Sequence, residues 1–186
     1  MSDPAGWGLT EEQVTERGAF YAVVGQAISI WADTETSIVR ICARLLETDE
    51  EKAGLVLFSL NFVAWLPLIT ELFKSSKKHQ RLKKKWNKQE EQLKILNDLR
   101  VRLAHHTSWE SRGTEPIALK PSRLDTRPRS KAYKPLTANE ISNQFTEPVY
   151  EIGNKLFALI DAMDGRQSLP RKPSAPRRDQ GQRETH

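Results

Sequence analysis

The chain has 186 residues, 38% of them apolar and 28% charged, with a formal net charge of +5 and a sequence pI near 9.4. That length can fill one core but hardly two, and the basic balance admits a polyanionic partner while saying nothing about fold. The single cysteine, Cys42, excludes an intramolecular disulfide, and the four histidines are not spaced with it as a zinc site requires.

Residues 1–10 read as a flexible N-terminus, without the basic start and apolar run of a secretory leader. From Glu11 to Leu46 apolar residues recur at helical spacing through Val14, Phe20, Val24, Ile28, Trp31, Ile38, Ile41 and Leu45, which predicts one long helix. A second helix is predicted after Thr48, where Asp49, Glu50 and Glu51 supply a cap and acids for the positive end of the helix dipole. It runs to about Phe73, with a kink expected at Pro67. Its stretch from Leu55 to Leu72 admits two readings, a membrane span or the most buried helix of a bundle. Asn61, Pro67, Thr70 and Glu71 favour the bundle, so no stable membrane association is expected.

A third helix reads from about His79 to His106, with Leu82, Trp86, Leu93, Leu96, Leu99 and Leu103 as its apolar stripe. Residues 107–136 then carry Gly113, Pro116, Pro121, Pro128 and Pro135, which excludes a long helix and leaves a long loop insertion with a short extended element around Ile117 to Leu119. Thr137 and Glu140 form a capping-box pattern that opens a last helix, predicted to bend near Pro148 and to stop at Gly165. Residues 165–186 read as a disordered basic tail, because from Arg166 onward six bases face two acids and there is little apolar area to bury. The fold class predicted is all-α: an up-down bundle of four long helices over residues 11–164.

No His-Glu-x-x-His site, phosphate-cradling glycine loop or nucleophile elbow occurs, and no cofactor is implied. One cluster remains, Asn97-Asp98-Leu99-Arg100-Val101-Arg102-Leu103-Ala104-His105-His106, at the end of the third helix. Such a group could cleave RNA without a metal: a neutral imidazole takes the proton of the ribose 2′-OH while a guanidinium stabilises charge growing on the phosphate. The competing reading is structural, since Arg and His in a last helical turn complement the helix dipole.

The long first helix with Trp31 and Glu35, the apolar second helix, and a third ending Leu99-Arg100-Val101-Arg102-Leu103-Ala104-His105 together resemble the HEPN (higher eukaryotes and prokaryotes nucleotide-binding) superfamily. Members are helical bundles marked by an arginine, four to six intervening residues and a histidine, a pattern that Arg100 and His105 match. The resemblance implies a metal-independent endoribonuclease whose site forms where two protomers meet, in toxin, defence or RNA-processing systems. RNA, a second copy of the chain, and an antitoxin or regulatory protein are the implied partners. Val101 differs from the polar residue that usually follows the arginine in active members.

On this reading Arg100 and His105 are the catalytic pair, Arg102 and His106 assist, and Glu35 orients His105 or pairs with Arg100. Lys83, Lys84, Lys85 and Lys88 would hold a phosphate backbone, although a solvated helix face explains the same run. Trp86 reads as core, a heptad before Leu93. The lone cysteine and lack of a leader point to a cytoplasmic protein. The rival readings are a non-catalytic helical module for protein partners and a membrane-anchored protein.

Overall fold

The computed structural model describes residues 10–109, 117–121 and 134–166; the predicted flexible start, most of the tail and parts of the insertion lie outside the described residues. The architecture is mostly helical, as the periodicity predicts. Helix α1 spans Glu11–Leu45, opened by a capping box in which Thr10 and Gln13 satisfy each other's backbone N–H groups. Before Phe20 it buries no side chain, and from Ala27 onward it carries the centre of the core through Trp31, Ile38, Ile41 and Cys42. Burial pushes the Cys42 thiol up to about 11, so it stays protonated and unreactive at neutral pH.

The predicted second helix is in fact two. Helix α2 spans Glu50–Phe58 and helix α3 spans Phe62–Ser75, the chain turning at Ser59, Leu60 and Asn61 rather than at Pro67, through which α3 continues. The cause is local side-chain chemistry inside an apolar run. The Ser59 hydroxyl bonds back to the Val56 carbonyl at 2.7 Å, and the Asn61 side chain accepts the Ala64 N–H at 3.0 Å as a helix cap. Trp65 closes the corner, its indole donating to the Leu60 carbonyl at 3.2 Å and its ring lying edge-on to Phe58. Neither half reaches the roughly 20 residues that cross a bilayer, and among the described residues no helix is long and apolar enough to do so.

A turn of 3-10 helix, Gln80–Leu82, leads into helix α4, Lys83–His105. Trp86 is fully buried against Phe73 of α3, and its indole donates to the Thr70 hydroxyl at 2.8 Å, which donates in turn to Glu90 at 2.6 Å. Burial pushes the Glu90 carboxyl up, but the bonds from Lys94 and Thr70 outweigh it and hold the carboxyl below its usual range.

The insertion contributes a small antiparallel sheet, order β1-β2-β3, from β1 (Thr107–Trp109), β2 (Ala118–Lys120) and β3 (Leu136–Thr137). Ser108 pairs with Leu119 and Leu119 with Leu136. Ile117, Leu119 and Leu136 join the helical core, so the sheet caps one end of the bundle.

Helix α5, Ala138–Ile141, begins at the predicted capping box: the Thr137 side chain accepts from the Glu140 N–H while Glu140 accepts from Thr137. It widens into a π turn, Ser142–Thr146, before helix α6, Glu147–Asp164. The wide turn ends just before Pro148, which sits in the first turn of α6. Gly165 ends α6 in the left-handed conformation (φ 72°), with the Arg166 N–H bonded back to the Asp161 carbonyl.

Contacts fix the helix directions. Trp31 stacks near Phe145 while Arg44 meets Asp164, so α1 and α6 run parallel. Phe62 opens α3 beside Trp31, whereas α3 ends at the turn carrying Lys78 and His79 beside Arg44, so α3 runs the same way. Helix α4 returns, with Gln92 beside Lys155, and α2 is a half-length return against α1, joined by Arg40 and Glu50. Splitting the second helix thus adds a reversal to the simple up-down order.

Candidate functional site

Helix α4 stops at His105 because His106 turns extended (ψ 149°) to feed β1, its N–H still bonded to the Arg102 carbonyl at 2.8 Å. Arg102 and His105 lie in the last turn, where positive charge is favoured by the helix dipole. His105 is exposed, and Arg100, Arg102 and His106 are half-buried. Because the helix is regular through His105, Arg100 and His105 project about 140° apart around its axis. One protomer therefore brings them to one end but not to one face.

Arg102 reaches across to the insertion and donates from Nη2 to the Lys134 carbonyl at 2.8 Å. Its charge also bears on Glu140, whose carboxyl is held below its usual range chiefly by the Thr137 backbone N–H and hydroxyl, with Arg102 and Lys134 adding to this. Glu35 accepts the Trp31 indole N–H at 2.8 Å, one turn away on α1. Among the described residues neither a hydrogen bond nor an ion pair joins Glu35 to Arg100 or His105. On the first turns of α4, Lys84, Lys85 and Lys88 are exposed and Lys83 is half-buried, while Trp86 between them faces the core.

At the same end of the bundle lies an apolar elbow. Leu55 and Phe58 are 71% and 66% exposed, and Val56, Leu60 and Val63 join them. No charged residue occurs between Lys52 and Glu71.

A second grouping, at the opposite end, has no sequence motif. A cavity of about 820 Å³ opens where α1 and α6 end and the Lys77–Leu82 turn begins, lined by Arg44, Thr48, Glu50, Lys78, His79, Arg81, Asp164 and Arg166 among others. Arg44 grips Asp164 with two bonds, 2.7 and 2.9 Å, which hold the Asp164 carboxyl below its usual range and push the guanidinium up. His79 is only 4% exposed. Burial pushes its imidazole down, and the charges of Lys78 and Arg81 push the same way against Glu47 and Asp164. Lys78 and Arg81 belong to the basic run from Lys77 to Lys88 visible in the sequence, with His79 between them, but Arg44 and Arg166 arrive from separate elements and carry no local signal.

Among the described residues no group of three or more His, Cys, Asp or Glu side chains could hold a metal ion. No protein-family model, curated protein or solved structure matches the chain.

Proposed function

We propose that the chain is a HEPN-like RNA-binding protein that acts as a metal-independent endoribonuclease when two copies pair. The observation that carries this reading is the end of α4, where an exposed His105 lies within two turns of Arg100 in a bundle of the expected helical class. The wide angle between them in one protomer favours a composite site, with the arginine of one copy facing the histidine of the other. In such a site a neutral imidazole removes the 2′-OH proton and the oxygen attacks the adjacent phosphorus while a guanidinium stabilises the charge on the phosphoryl oxygens; the bond to the 5′-oxygen breaks, the imidazolium returns its proton to that leaving oxygen, and a 2′,3′-cyclic phosphate remains. The exposed elbow supports a second copy, because an uncharged apolar patch can meet itself across a two-fold axis without like-charge repulsion. Lys84, Lys85 and Lys88 offer the backbone contacts that would make RNA affinity fall with salt.

The test is incubation of wild-type and His105→Ala proteins with mixed cellular RNA in EDTA, alongside a light-scattering mass. The reading expects a dimer that cleaves RNA and loses at least about 100-fold in rate on His105→Ala, the scale of general acid-base catalysis. Equal cleavage by a folded His105→Ala protein overturns the assignment of His105.

The elbow also favours a second reading, a non-catalytic module that docks a partner protein such as an antitoxin or regulator. It expects no cleavage and indifference to His105→Ala, with partner binding lost when Leu55 and Phe58 become polar.

A further inference from the structure

We infer that the cavity between the ends of α1 and α6 and the Lys77–Leu82 turn is a binding site for a phosphomonoester, with Lys78, Arg81 and Arg166 as its charge partners and His79 at its wall. This goes beyond the nuclease reading and does not depend on it. The cavity lies at the start of α4 and the Arg100-His105 motif at its end, about 34 Å away along the helix.

The argument begins with which charges are already committed. The two lining acids are engaged: Asp164 by Arg44 at 2.7 Å, and Glu50 by Arg40 at 3.3 Å with Arg44 at 4.0 Å. Lys78, Arg81 and Arg166 line the same cavity; the charges of Lys78 and Arg166 also act on Asp164, but among the described residues none of the three forms a salt bridge. Arg44, Lys78, Arg81 and Arg166 share the wall with Glu50 and Asp164, which are paired to Arg40 and Arg44, so the lining as a whole keeps a positive surplus. A phosphomonoester brings close to two negative charges and three acceptor oxygens, which a guanidinium fork and an ammonium match. About 820 Å³ falls within the range of small-ligand pockets and has room for a nucleotide-sized group.

His79 is the second line of evidence. Its backbone is fully used, the N–H donating to the Ser76 hydroxyl at 3.2 Å and the carbonyl accepting from Leu82 at 2.8 Å. Its ring is buried yet hydrogen-bonds to no described residue. Its ring nitrogens are not among the buried side-chain atoms that lack a partner, so they keep access to the cavity, where a ligand can reach them. The Thr48 hydroxyl lines the same wall and offers a further donor. An anion would favour the protonated imidazole, reversing the downward push that burial, Lys78 and Arg81 exert on it. Glu47 and Asp164, which already favour protonation, would act in the same direction as the ligand.

The phosphate could belong to the end of an RNA chain or to a free mononucleotide, and the experiment separates these sources. The full chain is titrated with inorganic phosphate, adenosine 5′-monophosphate, adenosine, and one tetranucleotide with and without a 5′-phosphate. Binding is followed by calorimetry and by the imidazole resonances. The proposal expects saturable binding of the monophosphate but not of adenosine. It also expects loss of about tenfold or more in affinity in the Lys78→Gln/Arg81→Gln double variant, equivalent to one charged hydrogen bond, and a His79 pKa that rises on loading. Both residues are exposed, so the variant keeps the fold. A preference for the 5′-phosphorylated tetranucleotide over the mononucleotide identifies an RNA end as the source, and the reverse preference a free metabolite. Equal weakening by the control Lys84→Gln/Lys85→Gln, equal binding of adenosine and its monophosphate, or no saturation by any probe overturns the proposal.

Discussion

The two ends of the bundle hold their cations in opposite ways. At the end where α4 meets the sheet, Arg102 is tied to a main-chain carbonyl of the insertion, His105 stands in solvent, and the neighbouring elbow is apolar and uncharged. At the other end Arg44 is locked to Asp164, and three further cations surround a cavity. Basic residues thus act by position rather than by number: one end sets its cations beside an exposed, uncharged apolar elbow, the other gathers them around a concavity. Helix α4 belongs to both, so the comparison can be broken at its middle or sharpened at either end.

The largest effect should come from Trp86→Ala, which empties a fully buried indole site and removes the bond to Thr70. Loss of about 3–5 kcal/mol is expected, read as a shift in urea midpoint. If α4 couples the two ends, RNA cleavage and monophosphate binding should fail together.

The next test isolates the cavity end. The imidazole of His79 is held below its ordinary 6.5 in the folded chain, so on acidification the unfolded state takes up a proton first. Stability should therefore be fully present above about pH 6.5 and decline as pH falls below it. His79→Gln should flatten that decline in thermal melts between pH 5.5 and 8, and melting curves with the same slope in both proteins would contradict the burial described for the ring.

A smaller effect belongs to the motif end. Thr137→Ala removes the cap that closes the insertion onto the last helix, at a cost of about 1 kcal/mol, and should lower the urea midpoint by that amount. It should also loosen the Arg102 contact to Lys134 while leaving monophosphate binding unchanged. A change in stability no larger than that of Thr137→Ala is expected from Leu55→Ser with Phe58→Ser, about 0.5–1 kcal/mol, because both side chains are exposed and what is lost is chiefly the edge-on contact of Phe58 with Trp65. Their effect should appear as a fall in light-scattering mass from dimer to monomer, and an unchanged mass would remove the elbow as the surface where copies meet.

What the sequence made legible was local. Thr137 and Glu140 sit three residues apart and need only each other, so the start of the last helix could be read directly, as could Trp86 by its spacing from Leu93. The break after Phe58 was concealed by an apolar run with the composition of one continuous helix, in which Asn61 looked like a polar blemish rather than a cap. Pro67 was the louder signal, yet α3 continues through it. The Arg100-His105 cluster was visible because all its members share one helix, and helical spacing alone already puts the two side chains about 140° apart. The cavity was not legible: Arg44, His79, Asp164 and Arg166 come together only through the parallel course of α1 and α6 and the return of α4.

The π turn at Ser142–Thr146 carries a further consequence. A regular helix rotates about 100° per residue, so over the eight residues from Ile141 to Val149 the inward stripe would drift about 80° off line. The wider turn slows that rotation and keeps Ile141, Phe145 and Val149 all buried. The segment thus works as a splice, holding one residue of slack between the capped start of the helix and the fixed phase at which Asp164 meets Arg44. Shortening the chain by one residue at exposed Asn143 would take up that slack: the remaining residues, at a regular pitch, turn about 700°, within about 20° of two full turns, so the later side chains of α6 would keep their facing while the wide turn disappeared.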